Sequence, residues 1–159
     1  MKKLLKILFI TGLGTGYSPV MSGTVGTFIG TGLYVLLSKF IPIYYILLLL
    51  IIYYGAVFST WGESYFKVKD SGKIVIDEIA GVMITMWGFQ FNYTKYDIVL
   101  LVIGFILFRI FDIVKPYPIN KLQDISGGWG VMLDDIAAGV VANVLMQMIV
   151  YFKIVSFFI

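Results

Sequence analysis

Residues 44–54 read Tyr-Tyr-Ile-Leu-Leu-Leu-Leu-Ile-Ile-Tyr-Tyr, an apolar run with tyrosines on either side. Tyrosine side chains concentrate where a membrane helix meets the polar headgroups, so this arrangement is typical of a helix that crosses a bilayer. Such a helix needs about 20 mostly apolar residues. We therefore predict a membrane segment over residues 43–60 in a protein built from α-helices.

The composition extends this prediction to the rest of the 159-residue chain. Hydrophobic residues make up 60% of it and charged residues 13%, and the mean hydropathy is +0.96. Soluble domains contain about 25% charged residues. Four further stretches have the length and polarity of membrane segments, namely 24–38, 74–91, 98–114 and 131–152. The sequence thus predicts an all-α, multi-helix integral membrane bundle with about four or five membrane segments, in a single domain over residues 1–159. The short, glycine-rich first segment is a candidate for re-entrant rather than spanning structure.

The chain contains no cysteine and no histidine. These absences exclude disulfides, cysteine nucleophiles, Ser-His-Asp triads and phosphohistidine intermediates. Carboxylates, lysine, arginine, hydroxyl groups and a bound metal are left for catalysis. Ligand sets made only of oxygen suit a hard cation such as Mg²⁺.

The basic residues predict the orientation in the membrane. We interpret the start of the chain, Met-Lys-Lys-Leu-Leu-Lys, as a retained cytoplasmic segment, because the apolar stretch after it is short and leads into glycines. If all five segments cross, nine basic residues lie inside and three outside, as the positive-inside rule expects. The inner group is Lys2, Lys3, Lys6, Lys67, Lys69, Lys73, Arg109, Lys115 and Lys121, and the outer group is Lys39, Lys95 and Lys153. The net charge of +3 is scattered rather than striped, so we expect no nucleic-acid partner.

Acidic residues lie within or beside the predicted membrane segments. They are Asp77, Glu78, Asp112, Asp134 and Asp135. An ionised aspartate at the centre of a membrane helix costs roughly 2.5 to 3.5 kcal/mol on the insertion scale. The predicted topology brings all five to the cytoplasmic leaflet, where simple hydration is one explanation. Adjacent carboxylates repel each other, however, and stay ionised most readily when they share a cation.

The two acidic pairs have similar surroundings. Residues 77–81 read Asp-Glu-Ile-Ala-Gly, and residues 134–139 read Asp-Asp-Ile-Ala-Ala-Gly. On a helix, Gly81 shares a face with Asp77, and Gly139 shares one with Asp135. A small residue at this place lets either a metal or a neighbouring helix approach closely, and the pattern leaves both alternatives open.

Arg109, Asp112 and Lys115 follow one another at intervals of three, so they line one face of a helix. They form either an ion network within the helix or a site in which Asp112 is a metal ligand or base and the two cations bind phosphate. Glycine-rich segments lie at residues 12–30 and 126–130, and the second of these precedes a predicted helix. Such a turn presents backbone N–H groups to an anion, although many are only turns. Neither segment has the pattern of a nucleotide-binding loop.

Five sequence motifs together resemble the phosphatidylglycerophosphatase A family over nearly the full length. The motifs are residues 14–19 (GTGYSP), 22–27 (SGTVGT), 69–70 (KD) with 76–81 (IDEIAG), 108–118 (FRIFDIVKPYP), and 127–130 (GGWG) with 134–139 (DDIAAG). The resemblance implies an all-α bacterial inner-membrane enzyme. It also implies that this enzyme uses Mg²⁺ to remove the terminal phosphate of phosphatidylglycerophosphate.

From the residues and this resemblance we predict a lipid phosphatase whose active site faces the cytoplasm. The predicted metal ligands are Asp77, Glu78, Asp134 and Asp135; the predicted catalytic residues are Asp112, Asp77 and Lys115; and the predicted phosphate-binding residues are Arg109, Lys115, Gly23, Thr24 and Lys73. The partners we expect are phosphatidylglycerophosphate and membrane lipids. The main alternative is a carboxylate-lined transporter or proton relay. A phosphatidyltransferase and a non-catalytic membrane scaffold are two further alternatives.

Overall fold

A computed structural model describes residues 2–155 of the chain. Met1, the first residue of the predicted cytoplasmic start, and residues 156–159, the end of the predicted domain, lie outside the described residues. The described part is all-helical, as predicted, and contains no strand. Its helices are α1 (Lys2–Ile10), α2 (Ser22–Leu37), α3 (Ile41–Phe66), α4 (Ile76–Thr85), α5 (Lys95–Val114), α6 (Ile119–Leu122) and α7 (Gly128–Tyr151), with a short 3₁₀ helix at Thr15–Tyr17.

Helix α5 shows how local sequence sets the ends of an element. Its first turn carries a capping box, in which the Thr94 hydroxyl accepts from the Asp97 N–H at 3.1 Å and the Asp97 carboxylate accepts from the Thr94 N–H at 3.1 Å. The helix ends at Val114. Lys115 takes a left-handed conformation, and Pro116 follows it, so the helix does not continue.

Helix α4 is the centre of the fold. Nine of its ten residues are buried, and it packs between α2 and α7 with α3 and α5 beside it. Gly81 and Gly139 make its crossing with α7 possible, because a Cβ on Gly139 would overlap the backbone carbonyl of Gly81. The small residues that follow the two acidic pairs thus serve close helix packing. Beyond the last turn of α4, the Asn143 amide donates to the carbonyls of Thr85 and Trp87 at 2.8 and 2.9 Å.

Among the described residues, two helices, α3 and α7, are long and apolar enough to cross a membrane by length and composition. This number is smaller than the four or five membrane segments predicted. The segment predicted at 74–91 contains only the ten-residue α4, about 15 Å long. The segment at 24–38 is the 16-residue α2, and α5 carries charged residues in both its first and last turns.

The elements with acidic residues alternate in direction, so their functional ends meet. Helices α2, α4 and α7 begin, and α5 ends, at one end of the bundle. A Cβ on Gly23 in α2 would contact both Glu78 in α4 and Arg109 in α5, and Lys115 reaches Asp135 in α7 at 3.5 Å. We call this end the acidic end. All five acidic residues therefore lie at the same end of the bundle, and the cytoplasmic side of that end stays a prediction.

Candidate metal and phosphate site

Three carboxylates form the centre of the acidic end. Asp77 and Glu78 lie in the first turn of α4, and Asp135 lies in the second turn of α7. One oxygen atom from each lies within 4.8 Å of the other two. The side chains are enclosed, since Asp77 is only 6% exposed and Asp135 only 2%. The crossing of α4 and α7 at Gly81 and Gly139 sets this proximity.

The three-carboxylate group has unused ligand atoms. Asp77 Oδ1, Glu78 Oε2 and Asp135 Oδ2 are buried and have no hydrogen-bond partner. Burial, and then the neighbouring Glu78 carboxylate, raise the pKa of Asp77, because two negative charges share a site with little water. Buried oxygens without donors, supplied only by carboxylates, fit a hard divalent cation. The group thus matches three of the four predicted metal ligands.

Asp134, the fourth predicted ligand, lies next to this group and forms an ion pair with Lys115. Its second oxygen accepts the N–H of Asp135 at 3.0 Å. Lys115 also approaches Asp135 at 3.5 Å and Asp112 at 3.7 Å. Burial alone would lower the pKa of Lys115, but the surrounding carboxylates outweigh burial and raise it. Lys115 is therefore a fixed positive charge, and the metal role of Asp134 stays a prediction.

Arg109 and Asp112 lie on one face of the last turns of α5, as the spacing predicted. The Arg109 guanidinium pairs with one Asp112 oxygen and lies 3.5 Å from the Thr27 hydroxyl of α2. Its Nε atom is buried and has no partner. Because Lys115 approaches the other Asp112 oxygen, this carboxylate links two cations beside the three-carboxylate group. The predicted ion network within α5 exists, and it extends to α7.

The beginning of α2 closes the site on another side. Gly23 lies so close to Glu78 that a Cβ would overlap its carboxylate and lie 3.2 Å from an Arg109 nitrogen. The neighbouring Thr24 hydroxyl is buried without a partner. The first N–H groups of a helix have no partner within the helix and favour anions. Gly23 and Thr24 therefore lie where their phosphate-binding role was predicted, although binding itself stays a prediction.

The ammonium group of Lys73 contacts aromatic rings, and its phosphate-binding role stays a prediction. Its ammonium group lies over the rings of Tyr17 at 5.5 Å and Phe66 at 5.4 Å, and the side chain is exposed.

The glycine-rich turn before α7 binds a side chain of the protein itself, because the Gly128 N–H donates to the Thr60 hydroxyl of α3 at 2.8 Å. That turn docks α7 on α3.

Two residues of the acidic end were not predicted. Thr27, beside Arg109, follows Gly23 by one helical turn, and this spacing is the signal that would have identified it. Asp70 lies in the loop before α4, where the surrounding chain covers part of its carboxyl group. Partial burial raises its pKa; Lys115 opposes this shift and Asp134 adds to it, so Asp70 lies within electrostatic range of the site.

Known protein families include one that matches most of this chain. The family model of phosphatidylglycerophosphatase A matches residues 8–150. The chain therefore belongs to the phosphatidylglycerophosphatase A family. The match covers every residue of the acidic end, from the start of α2 to the acidic pair of α7.

Three bacterial relatives cover most of the chain. A Bacteroides thetaiotaomicron protein named "Putative phosphatidylinositol-3-phosphatase" is 34% identical over 89% of this chain and 91% of its own. The phosphatidylglycerophosphatase A of Escherichia coli is 34% identical over 85% of this chain and 77% of its own. That of Haemophilus influenzae is 31% identical over 92% and 90%. No solved structure matches the chain.

Proposed function

We propose that this protein hydrolyses phosphatidylglycerophosphate to phosphatidylglycerol and phosphate, with Mg²⁺, at the cytoplasmic face of a bacterial inner membrane. The observation that carries the proposal is the three-carboxylate group of Asp77, Glu78 and Asp135. Its unpartnered oxygens lie beside Arg109 and the first turn of α2. This places ligands for a cation next to donors for an anion, in a chain of a phosphatase family.

In this proposal each part of the acidic end has a distinct role. The three carboxylates hold the metal, and Asp134 is a further ligand or, through Lys115, a positioning residue. Mg²⁺ held by these carboxylates would neutralise phosphate charge and orient water. Arg109 and the first N–H groups of α2 bind the phosphate oxygens as their charge redistributes. Asp112 holds Arg109 and Lys115 in place and is the proposed base for the attacking water.

Exposed apolar surface supports the membrane location. Besides α3 and α7, helix α5 carries exposed aliphatic residues at intervals of three or four along its length, at Ile98, Val102, Ile106, Ile110 and Ile113. A continuous apolar face of this kind favours lipid over water. Helix α5 is also about 30 Å long, which equals the hydrocarbon thickness of a bilayer. We therefore propose that α5 crosses the membrane together with α3 and α7.

The basic residues support a cytoplasmic acidic end. Helices α3 and α5 end there, so Lys67, Lys115 and the residues that follow each of them lie on that side. Lys3 and Lys6 of α1 lie over aromatic rings in the last turns of α3. The side with nine of the twelve basic residues is therefore the acidic end. The positive-inside rule assigns that side to the cytoplasm.

The experiment that tests this function is phosphate release by the purified protein from four substrates. These are phosphatidylglycerophosphate, phosphatidylinositol 3-phosphate, phosphatidic acid and a water-soluble phosphomonoester, each assayed with chelator and with Mg²⁺ restored. We expect the highest kcat/KM for phosphatidylglycerophosphate and no turnover in chelator. A higher kcat/KM for phosphatidylinositol 3-phosphate would identify that lipid as the substrate and leave the proposed phosphate hydrolysis unchanged. Ion flux in proteoliposomes without phosphate release from any substrate would favour the transporter alternative.

A further inference from the structure

Two apolar hollows lie next to each other on the outer surface of α5, and α2 lines the second of them. The one near the acidic end has a volume of about 290 Å³ and runs from Phe105 to Val114, with Arg109 in its wall. The other has a volume of about 220 Å³ and is lined by Phe28 of α2 and by α5 residues from Leu101 to Phe105. Phe105 lines both hollows, so they adjoin at this residue, and we call the two together the trough.

The trough has the dimensions of a lipid tail in one leaflet. From Arg109 to Leu101 helix α5 rises about 12 Å, and one leaflet of hydrocarbon is about 15 Å thick. In the trough, the Phe28 ring of α2 lies against the Phe105 ring of α5, with their centroids 4.6 Å apart. Apart from Arg109 and Thr31, the lining residues of both hollows are apolar.

Arg109 connects this trough to the candidate active site. The residue lines the hollow near the acidic end. Its guanidinium pairs with Asp112 and lies next to Gly23, beside the three-carboxylate group. A phosphate bound there is therefore separated from the trough by a single side chain. In phosphatidylglycerophosphate a glycerol, a phosphodiester and a second glycerol separate the terminal phosphate from the acyl chains. A tail therefore begins one headgroup length from this site, in the direction of the hollow beside Phe28.

We propose that this trough along α5, bordered by α2 at Phe28, holds one acyl chain of the lipid whose phosphate is bound at the acidic end. The inference rests on the proposed function, since it assigns to that site a second, apolar part. It makes Val102, Phe105 and Ile106 determinants of specificity for long-chain lipids. A phosphomonoester without acyl chains gains nothing from them.

The experiment compares substrates of two acyl lengths in two trough variants and one matched control. Ile106→Trp fills the junction of the hollows, and Val102→Trp fills the hollow far from the site. Ile46→Trp makes the same change as the first variant on α3, where Ile46 is 59% exposed against 51% for Ile106. The readout is kcat/KM for phosphatidylglycerophosphate with sixteen-carbon and with eight-carbon acyl chains.

We expect Val102→Trp to lower the ratio of long-chain to short-chain kcat/KM about tenfold, the effect of losing contact with a few methylene groups. Ile106→Trp lowers kcat/KM for both lengths, and Ile46→Trp leaves the ratio at the wild-type value. Equal ratios in all four proteins would overturn the inference and leave the proposed function standing. A wild type that releases no phosphate would refute the proposed function instead.

A second measurement tests the trough without turnover. Phosphatidic acid with a photoactivatable group in its acyl chain is crosslinked to the protein, and labelled peptides are identified by mass spectrometry. Labelling of α5 around Val102 and Ile106 should decrease when unlabelled phosphatidic acid is added in excess, whereas labelling of α3 around Ile46 should not. The same response on both helices would mean that bulk lipid or a partner helix covers the trough, and would overturn the inference.

Discussion

Asp77 and Asp135 are carboxylates enclosed by protein, and each has an oxygen with no hydrogen-bond donor. Without a cation, such groups destabilise the folded chain, because burial and their mutual repulsion oppose ionisation. Their cost is the physical reason to expect a metal at this place. This cost also makes single-residue experiments informative. Replacing a metal ligand should raise the stability of the metal-free protein, whereas replacing a purely structural residue should lower it.

Asp77→Asn should raise the thermal midpoint of the metal-free protein at neutral pH and abolish its increase on addition of Mg²⁺. The folded pKa of Asp77 lies above the unfolded value of about 3.9. The folded state therefore binds the proton more tightly, and the stability of the metal-free wild type rises as the pH falls from the folded pKa towards the unfolded one.

The measurement is the thermal midpoint across that pH range, in chelator and in Mg²⁺. In chelator the variant should depend less on pH than the wild type, because the raised pKa has been removed. A variant that is less stable than the wild type in chelator, with an unchanged response to Mg²⁺, would assign Asp77 a purely structural role.

Gly23→Ala should lower phosphate release roughly tenfold to 100-fold, because the new Cβ overlaps the Glu78 carboxylate and displaces a group by about an ångström. Gly32→Ala is the matched control in the same helix, since a Cβ there meets nothing within 4 Å. Replacing an exposed helical glycine by alanine stabilises a helix by about 0.5–1 kcal/mol. Full activity in Gly23→Ala would show that Glu78 need not hold its present position.

At the scale of elements, the crossing of α4 and α7 positions the carboxylates that the two helices supply. Gly139→Ala should reduce stability by about 1–3 kcal/mol, because the added methyl group overlaps the Gly81 carbonyl and separates the helices. Activity should fall as well, since Asp135 lies one turn before Gly139. Chemical unfolding and phosphate release are measured together, again with Gly32→Ala as control. Loss of stability with unchanged turnover would contradict the positioning of Asp135 by this crossing.

The helical class and the meeting of the acidic residues could be predicted from the sequence, because both depend on local pattern and on the alternation of helix direction. The number of membrane helices could not be predicted from the sequence. Hydropathy averaged along residues 74–91 does not register that α4 ends at Thr85, with Asn143 of a distant helix bound to the carbonyls there. An element boundary of this kind depends on tertiary contacts.

The same limit applies to individual site residues. Asp77, Glu78 and Asp135 could be identified because paired acids in apolar sequence are costly. The position of Asp134 beside the three-carboxylate group could not be predicted, since it depends on the ion pair that Lys115 makes from the end of α5. The predicted phosphate-binding role of Lys73 stays a prediction, and the contacts of its ammonium group with Tyr17 and Phe66 could not be predicted from its place in the chain.

For the whole molecule, the account predicts that the acidic end faces the cytoplasm. The natural chain has no cysteine, so single cysteines are unambiguous reporters. Ser126→Cys places one at the acidic end and Asn92→Cys places one at the opposite end, both at exposed polar positions. A membrane-impermeant maleimide added to intact cells with a permeabilised outer membrane should label only the cysteine at residue 92. Labelling of residue 126 alone would reverse the proposed orientation.

The central claim is that three buried carboxylates hold a divalent cation that hydrolysis of a lipid phosphate requires. The most direct measurement is phosphate release from phosphatidylglycerophosphate as a function of Mg²⁺ concentration, in the wild type and in Asp135→Asn. The account predicts saturable activation of the wild type from zero activity in chelator. It also predicts a loss of roughly 100-fold or more in the variant, equivalent to several kcal/mol of transition-state stabilisation. Wild-type turnover that persists in chelator, or an unchanged Mg²⁺ response in Asp135→Asn, would contradict it.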